Sequence, residues 1–107
     1  MSIAPKFRPV AAKPPRNFVG LDFETYSSVD IKTQGLDNYV NSPTFKPLIA
    51  SVSESVSHRT TFDFVRHPLV ETARFRAYVN AQIELGCWFS AHNAGFERAV
   101  LQWMGFP

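Results

Sequence analysis

A nine-residue segment near the start of the chain, Phe18-Val-Gly-Leu-Asp-Phe-Glu-Thr-Tyr26, constrains the fold more than any other part of the sequence. Its apolar residues are dense enough to predict a buried strand, which we place over Phe18–Glu24. Asp22 and Glu24 interrupt this strand at alternate positions, so both side chains project to the same face. Burying two like charges costs free energy unless a cation or another partner neutralises them. The two acids are therefore candidate metal ligands; the alternative is a strand end at which both simply reach water.

The composition allows one globular domain. The chain has 107 residues, of which 45% are hydrophobic and 14% aromatic, so a modest core is available. The longest apolar runs are far shorter than a membrane span, and no segment resembles a signal peptide. The single cysteine, Cys87, excludes an internal disulfide and a cluster of thiolate metal ligands. These features predict a cytoplasmic protein that does not enter a membrane.

Residues 1–17 differ from the rest of the chain in composition. They contain four of the eight prolines and four basic residues, but no acidic residue. We predict a flexible, extended leader here and a domain over residues 18–107. The leader is either a solvated tail or a contact for a phosphate backbone, since polyanions attract flexible basic segments through counterion release.

The first half of the domain predicts an antiparallel part of a sheet. After a turn over Ser27–Asp30, residues 31–39 are ambiguous, because Gly35 would break a long helix. Two further strands are predicted over Leu48–Glu54 and Ser57–Val65. Together with the first strand, they suggest an antiparallel three-strand meander.

The second half predicts two helices around a fourth strand. Pro68 begins a helix that runs to about Leu85, where Gly86 can cap it. Cys87–Ala91 follows as a short strand, and this helix-then-strand order is what a parallel crossover beside the first strand requires. A second helix is predicted over Ala94–Met104. The predicted fold class is therefore α/β, with a mixed sheet of three antiparallel strands plus a parallel strand, and two helices.

The segment that enters the last helix carries a third acid. Asn93 stands at the strand-to-helix turn, where its side chain can cap the helix, and Glu97 follows one helical turn later. Taken alone, Glu97 is explained as an acid that interacts with the helix dipole, and His92 as a turn residue. If the preceding strand lies beside the first strand, however, Glu97 approaches Asp22 and Glu24.

Three stretches of the sequence form an ordered set. They are Leu21-Asp-Phe-Glu-Thr-Tyr-Ser27, Asp30-Ile-Lys-x-x-Gly-Leu36 with the following Tyr39 and Pro43, and Ala91-His-Asn-Ala-Gly-Phe-Glu-Arg-Ala-Val-Leu101. Together they resemble the first two motifs of the DEDD (DnaQ-like) superfamily of 3′–5′ exonucleases, which have a ribonuclease H-like fold. The closest resemblance is to the N-terminal exonuclease domain of phage-type family A DNA polymerases. It covers nearly everything from Phe18 to the end of the chain.

The resemblance implies a partial ribonuclease H-like domain that hydrolyses 3′ DNA ends during proofreading, with two Mg²⁺ or Mn²⁺ ions. Asp22 would bridge the two cations, and Glu24 would help to bind the cation that activates water. Glu97 stands where the family usually has an aspartate, and its extra methylene could turn direct coordination into a water-mediated contact. The residues expected near the bound substrate are Thr25, Tyr26, His92, Asn93 and Phe96. Oxygen ligands without thiolates suit Mg²⁺ or Mn²⁺ and argue against zinc.

The superfamily has a third motif, a late helix that supplies one more aspartate and a tyrosine or histidine as general base. Residues 1–107 do not contain it. We therefore expect the first half of an exonuclease domain, which hydrolyses DNA poorly unless a second polypeptide supplies the rest. A split gene and a truncated gene product both remain open.

The expected partners follow from the same resemblance. They are a single-stranded or frayed 3′ DNA end and a second polypeptide that carries the rest of the exonuclease or polymerase. A phage-encoded protein of this kind would act in the host cytoplasm. The alternative function is a non-catalytic fragment that kept the fold and binds nucleic acid or protein. The motifs alone do not decide between DNA and RNA as the substrate.

Overall fold

The protein has an α/β architecture built on one four-stranded sheet. The computed structural model describes residues 4–7, 18–55 and 57–107. These residues form β1 (Phe18–Tyr26), α1 (Ile31–Gln34), α2 (Leu36–Asn41), β2 (Lys46–Ser55), β3 (His58–Asp63), α3 (Pro68–Glu84), β4 (Trp88–Ser90) and α4 (Ala94–Trp103). The strand order is β3-β2-β1-β4. β1, β2 and β3 are antiparallel neighbours, and β4 is parallel to β1. The predicted meander and the predicted parallel crossover are both confirmed.

β1 is the central strand, and its two faces differ. Val19, Leu21 and Phe23 are buried against the helices, whereas Asp22 and Glu24 are exposed. β1 extends to Tyr26, two residues beyond the predicted end. Its register with β2 shifts between Glu24 and Thr25, where the partner strand contains Pro47. Proline has no N–H to donate to the ladder, so an irregularity is expected at this point.

The described residues contain four helices, and the prediction of two was therefore wrong. The ambiguous segment 31–39 forms most of α1 and α2. Asp30 caps α1, because its Oδ1 accepts a hydrogen bond from the Lys32 N–H at 3.0 Å. Gly35 has a φ of 86°, which other residues rarely adopt, and it separates the two helices as predicted. α2 is held by its apolar face, since Val40 is buried and Tyr39 packs against the core.

α3 crosses one face of the sheet and supplies the centre of the core. Phe75 is fully buried, and its ring meets those of Phe23, Phe62 and Phe64 edge to face, with centroids 5.3–5.7 Å apart. Pro68 occupies the first turn, as predicted. Leu85, near which the helix was predicted to end, follows its last residue and is exposed. Among the described residues, no helix has the length and apolar character needed to cross a membrane.

Both edges of the sheet differ from the prediction, in the length of β3 and in what lies beside β4. β3 stops at Asp63, because its Oδ1 accepts hydrogen bonds from the N–H groups of Val65 and Arg66 and turns the chain. At the other edge, Phe7 forms a parallel bridge with Phe89 of β4. Most of the predicted leader, namely residues 1–3 and 8–17, lies outside the described residues. The described part of the leader, residues 4–7, covers this edge.

Candidate functional site

Glu97, in the first turn of α4, reaches the edge of β1. α4 begins after Asn93, whose Oδ1 accepts a hydrogen bond from the Phe96 N–H at 3.3 Å. β4 pairs with β1 over Phe18–Gly20. Farther along β1, the Glu97 side chain accepts a backbone hydrogen bond of the kind that a neighbouring strand would accept. Its Oε2 accepts this bond from the Phe23 N–H at 3.3 Å. The third acid of the sequence is thus brought to the backbone between the first two.

The environment of Glu97 favours its neutral form. Only 3% of the residue is exposed, and it is the only charged or polar residue buried in the described part of the chain. Burial raises the pKa of Glu97 from its ordinary value of 4.5 to about 7. The hydrogen bond from the Phe23 N–H opposes this increase, whereas the negative charge of Asp22 adds to it. Asp22 and Glu97 are therefore close enough to repel each other.

Of the three predicted acids, Asp22 and Glu97 lie close together, and Glu24 lies beside Asp22 on β1. Asp22 interacts electrostatically with Glu97, and Glu24 lies two residues farther along β1, exposed on the same face as Asp22. In residues 4–7, 18–55 and 57–107, no group of three or more His, Cys, Asp or Glu side chains is placed to hold a metal ion. A cation at this site would need ligands in addition to the pair.

A polar cavity of about 340 Å³ adjoins Asp22. Its lining includes Arg59, His92 and three serines, so it offers cationic and hydroxyl groups beside the carboxylate. His92 was predicted near the substrate, but sequence reasoning missed Arg59. Arg59 lies opposite Ser53, which in turn lies opposite Gly20. Only the register of three strands reveals this proximity; the sequence signal that could have helped is alternation along β3, which places Arg59 on the same face as Thr61 and Asp63.

Of the other predicted substrate residues, Asn93 caps α4, and Thr25, Tyr26 and Phe96 lie near the end of β1. The Thr25 Oγ1 and the Tyr39 hydroxyl are hydrogen bonded at 2.8 Å. The ring of Tyr39 lies 6.3 Å from that of Phe96. These three residues come from the three separate stretches identified in the sequence, which therefore meet here. Tyr26 is about half exposed, and the Lys46 ammonium lies 5.8 Å from its ring centroid.

The side chain of Asn93 should stabilise the helix that carries Glu97. We expect Asn93→Ala to lower the free energy of unfolding by about 1 kcal/mol, because the Phe96 N–H loses its side-chain acceptor. Urea unfolding measures this change. Asn80→Ala, at an exposed position inside α3, is the matched control and should not destabilise the protein. Equal destabilisation by both substitutions would contradict the capping role.

No match to this chain is found among protein-family models, curated proteins or solved structures. The functional assignment therefore depends on the sequence motifs and on the geometry of the residues that form them.

Proposed function

We propose that this chain is part of a 3′–5′ exonuclease domain of the DEDD type, with a ribonuclease H-like fold and related to the N-terminal domain of phage-type family A DNA polymerases. The contact between Glu97 and the Phe23 N–H is the observation that carries the proposal. It joins residues 74 positions apart and brings the acid of the last stretch beside the acidic strand. The four-stranded mixed sheet with a parallel crossover supports the proposed fold.

The acidic pair suits a hard divalent cation such as Mg²⁺ or Mn²⁺. Carboxylate oxygens are the ligands these ions prefer, and a cation would offset both the burial of Glu97 and its repulsion from Asp22. When bound, such ions supply an activated water and compensate the charge that develops on the leaving 3′ oxygen. The chain holds its own ligands in place, since Asp22 belongs to the central strand and Glu97 is fixed by the Phe23 N–H. Glu24 would join them as the third acid.

The proposed substrate is a single-stranded or frayed 3′ end of DNA. Arg59 and His92, in the cavity beside Asp22, are suited to orient a phosphate group through charge and hydrogen bonds. Tyr26 offers an exposed ring on which a terminal base can stack. The hydrogen bond between Thr25 and Tyr39 would keep this end of β1 rigid.

We infer that a further metal ligand and the general base come from polypeptide outside these 107 residues, in the same chain or in a second one. The described residues alone gather no group of three metal-binding side chains. This observation also favours a second candidate function, a non-catalytic domain that binds nucleic acid or protein. The two candidates differ in whether the acidic pair binds a divalent cation.

Addition of Mn²⁺ should therefore stabilise the protein. At a concentration about tenfold above its Kd, we expect a gain of about 1.4 kcal/mol, or several degrees in Tm. Thermal unfolding of the 107-residue chain measures this gain, and Asp22→Asn should remove most of it. Glu84→Gln also removes one carboxylate, at the exposed end of α3, and should respond to Mn²⁺ as the unaltered protein does.

Two results would count against this function. A chain that Mn²⁺ does not stabilise, or that responds equally with and without Asp22, would favour the non-catalytic candidate.

Hydrolysis of a 5′-labelled single-stranded oligonucleotide should stay near background with this chain alone. Rapid Mg²⁺-dependent digestion that Asp22→Ala abolishes would support the nuclease but contradict the need for further residues.

A further inference from the structure

A groove on the helical side of the sheet is separate from the acidic residues of β1. It lies where the start of β2 and the segment after β3 meet the first turns of α3 and the end of α4. Its volume is about 570 Å³, which is in the range of pockets that hold ligands. We call it the Trp103 groove. Phe64 and Met104 line it with buried apolar side chains, and Val65 and Trp103 line it with exposed ones.

Two of the exposed apolar residues line this groove. Val65 is 63% exposed and Trp103 is 47% exposed, and both line the groove. Clusters of exposed apolar side chains are typical of surfaces that bury an apolar group of a partner.

The charged side chains that line the groove are positive. Of the described residues that line it, the charged ones are both cations, Lys46 and Arg76. Each acid on the adjoining segments also has a cation beside it, Arg66 for Asp63 and Arg74 for Glu71. Asp63 Oδ1 accepts from the Val65 N–H at 3.0 Å, and Glu71 Oε2 accepts from the Asp63 N–H at 3.1 Å. The groove therefore favours an anionic group beside its apolar walls.

Arg76 makes two contacts beside the end of α4. Its guanidinium donates a hydrogen bond to the Met104 carbonyl at the end of α4 and lies over the ring of Phe106, 5.5 Å from the centroid. A guanidinium has five N–H groups, so donors remain after this contact. Because the side chain is already ordered, it would lose little conformational entropy when it binds a carboxylate.

We propose that the Trp103 groove binds an acidic peptide segment. An apolar side chain of the peptide packs against Phe64 and Trp103, and a nearby carboxylate pairs with Lys46 and Arg76. The observations favour a peptide over single-stranded nucleic acid. Stacking of successive bases needs several free aromatic faces. The lining of the groove includes two aromatic residues, Phe64, which is buried, and Trp103, whose ring already meets Phe45 edge to face with centroids 5.1 Å apart.

This proposal does not depend on the nuclease function. Phe23, between Asp22 and Glu24, packs against Phe75 of α3 on the helical side of the sheet. Alternation along β1 therefore directs the two acids to the opposite face. Peptide binding should need no divalent cation, and Asp22→Asn should bind the peptide as the unaltered protein does.

Fluorescence anisotropy with two labelled, end-blocked peptides tests the proposal. One carries three glutamates before a Leu-Phe pair, and the other carries them after it. We expect at least one Kd below about 1 mM. Lys46→Glu should weaken binding about fivefold through charge reversal, and Val65→Asp about tenfold through loss of apolar contact and added repulsion. The matched controls Lys32→Glu, on α1, and Leu85→Asp, at the exposed end of α3, should bind normally.

Peptides in which glutamine replaces glutamate, or serine replaces the Leu-Phe pair, should bind more weakly. The proposal is overturned if these peptides bind equally well, if neither acidic peptide binds at about 1 mM, or if the groove variants and the controls lose binding equally. A labelled oligothymidylate provides the remaining comparison. If it binds with sensitivity to Lys46→Glu and Val65→Asp while the peptides do not bind, the groove is a nucleic-acid site and the peptide proposal is wrong.

Discussion

Replacing Glu97 with glutamine should stabilise the protein at pH 8 by about 3 kcal/mol and change its stability little at pH 4. The folded state raises the pKa of Glu97 from 4.5 to about 7, chiefly through burial. Ionised Glu97 therefore lowers the stability of the folded protein. Glutamine carries no charge and still offers an oxygen that accepts the hydrogen bond from the Phe23 N–H.

The stability of the protein should depend on pH between the pKa of Glu97 in the unfolded chain and its higher pKa in the folded chain. Well below pH 4.5, the carboxyl is protonated in both the folded and the unfolded chain, so Glu97 does not lower the stability of the folded protein there. Between pH 4.5 and about 7, the unfolded chain loses its proton first, and stability falls as pH rises. Above about pH 7, the loss is complete and constant. Urea unfolding of both proteins from pH 4 to pH 8 measures the difference, which should grow across this window.

The matched control for Glu97→Gln is Glu84→Gln, at an exposed position at the end of α3. This control should differ from the unaltered protein by a small amount that does not follow the same window. If the difference between Glu97→Gln and the unaltered protein stays constant from pH 4 to pH 8, the carboxyl titrates normally in the folded state, and the buried position of Glu97 is wrong.

Replacing Phe75 with alanine should cost about 3–5 kcal/mol of stability. Phe75 is fully buried, and its ring packs edge to face on Phe23 of β1, Phe62 of β3 and Phe64, which directly follows β3. Its loss leaves a cavity where the helix meets the sheet, and it also removes the favourable ring contacts. A small domain has about 5–15 kcal/mol in total. The substitution should thus remove a large part of the stability.

Urea unfolding at a fixed pH measures this cost, and Leu69→Ala is the control on the same helix. Leu69 is largely exposed, so its truncation should change stability by about 0.5 kcal/mol or less. If Phe75→Ala does not fold, Phe75→Leu keeps much of the buried volume and should show a smaller loss in the same direction. A protein that tolerates Phe75→Ala as well as Leu69→Ala would contradict the described core.

The sequence predicted those features that short segments determine. The alternation of Asp22 and Glu24 within an apolar strand identified β1, and the Asn93 turn identified the start of α4. A helix followed by a short strand predicted that β4 would be parallel to β1, because a parallel pairing requires a crossover connection of this kind. Once these elements were placed correctly, the approach of Glu97 to β1 followed from the geometry of neighbouring strands.

Features that depend on distant contacts were missed. α1 and α2 are too short for periodicity to identify them, and α2 depends on packing of residues such as Val40 against the core. The bridge between Phe7 and Phe89 arises in a proline-rich segment without a strand pattern. Arg59 reaches the cavity beside Asp22 only through the register of three strands. The Trp103 groove involves four separate elements, and no local pattern indicates it.

The order of the strands also has a consequence for how the chain folds. Gly20 pairs with Ser53 of β2 on one side and with Ser90 of β4 on the other. The second partner lies about twice as far along the chain as the first, and pairings between distant segments tend to form slowly. We therefore expect the carboxylates of Asp22 and Glu97 to meet late, after the antiparallel half has formed. Their mutual repulsion should then act mainly on the rate of unfolding and leave the folding nucleus undisturbed.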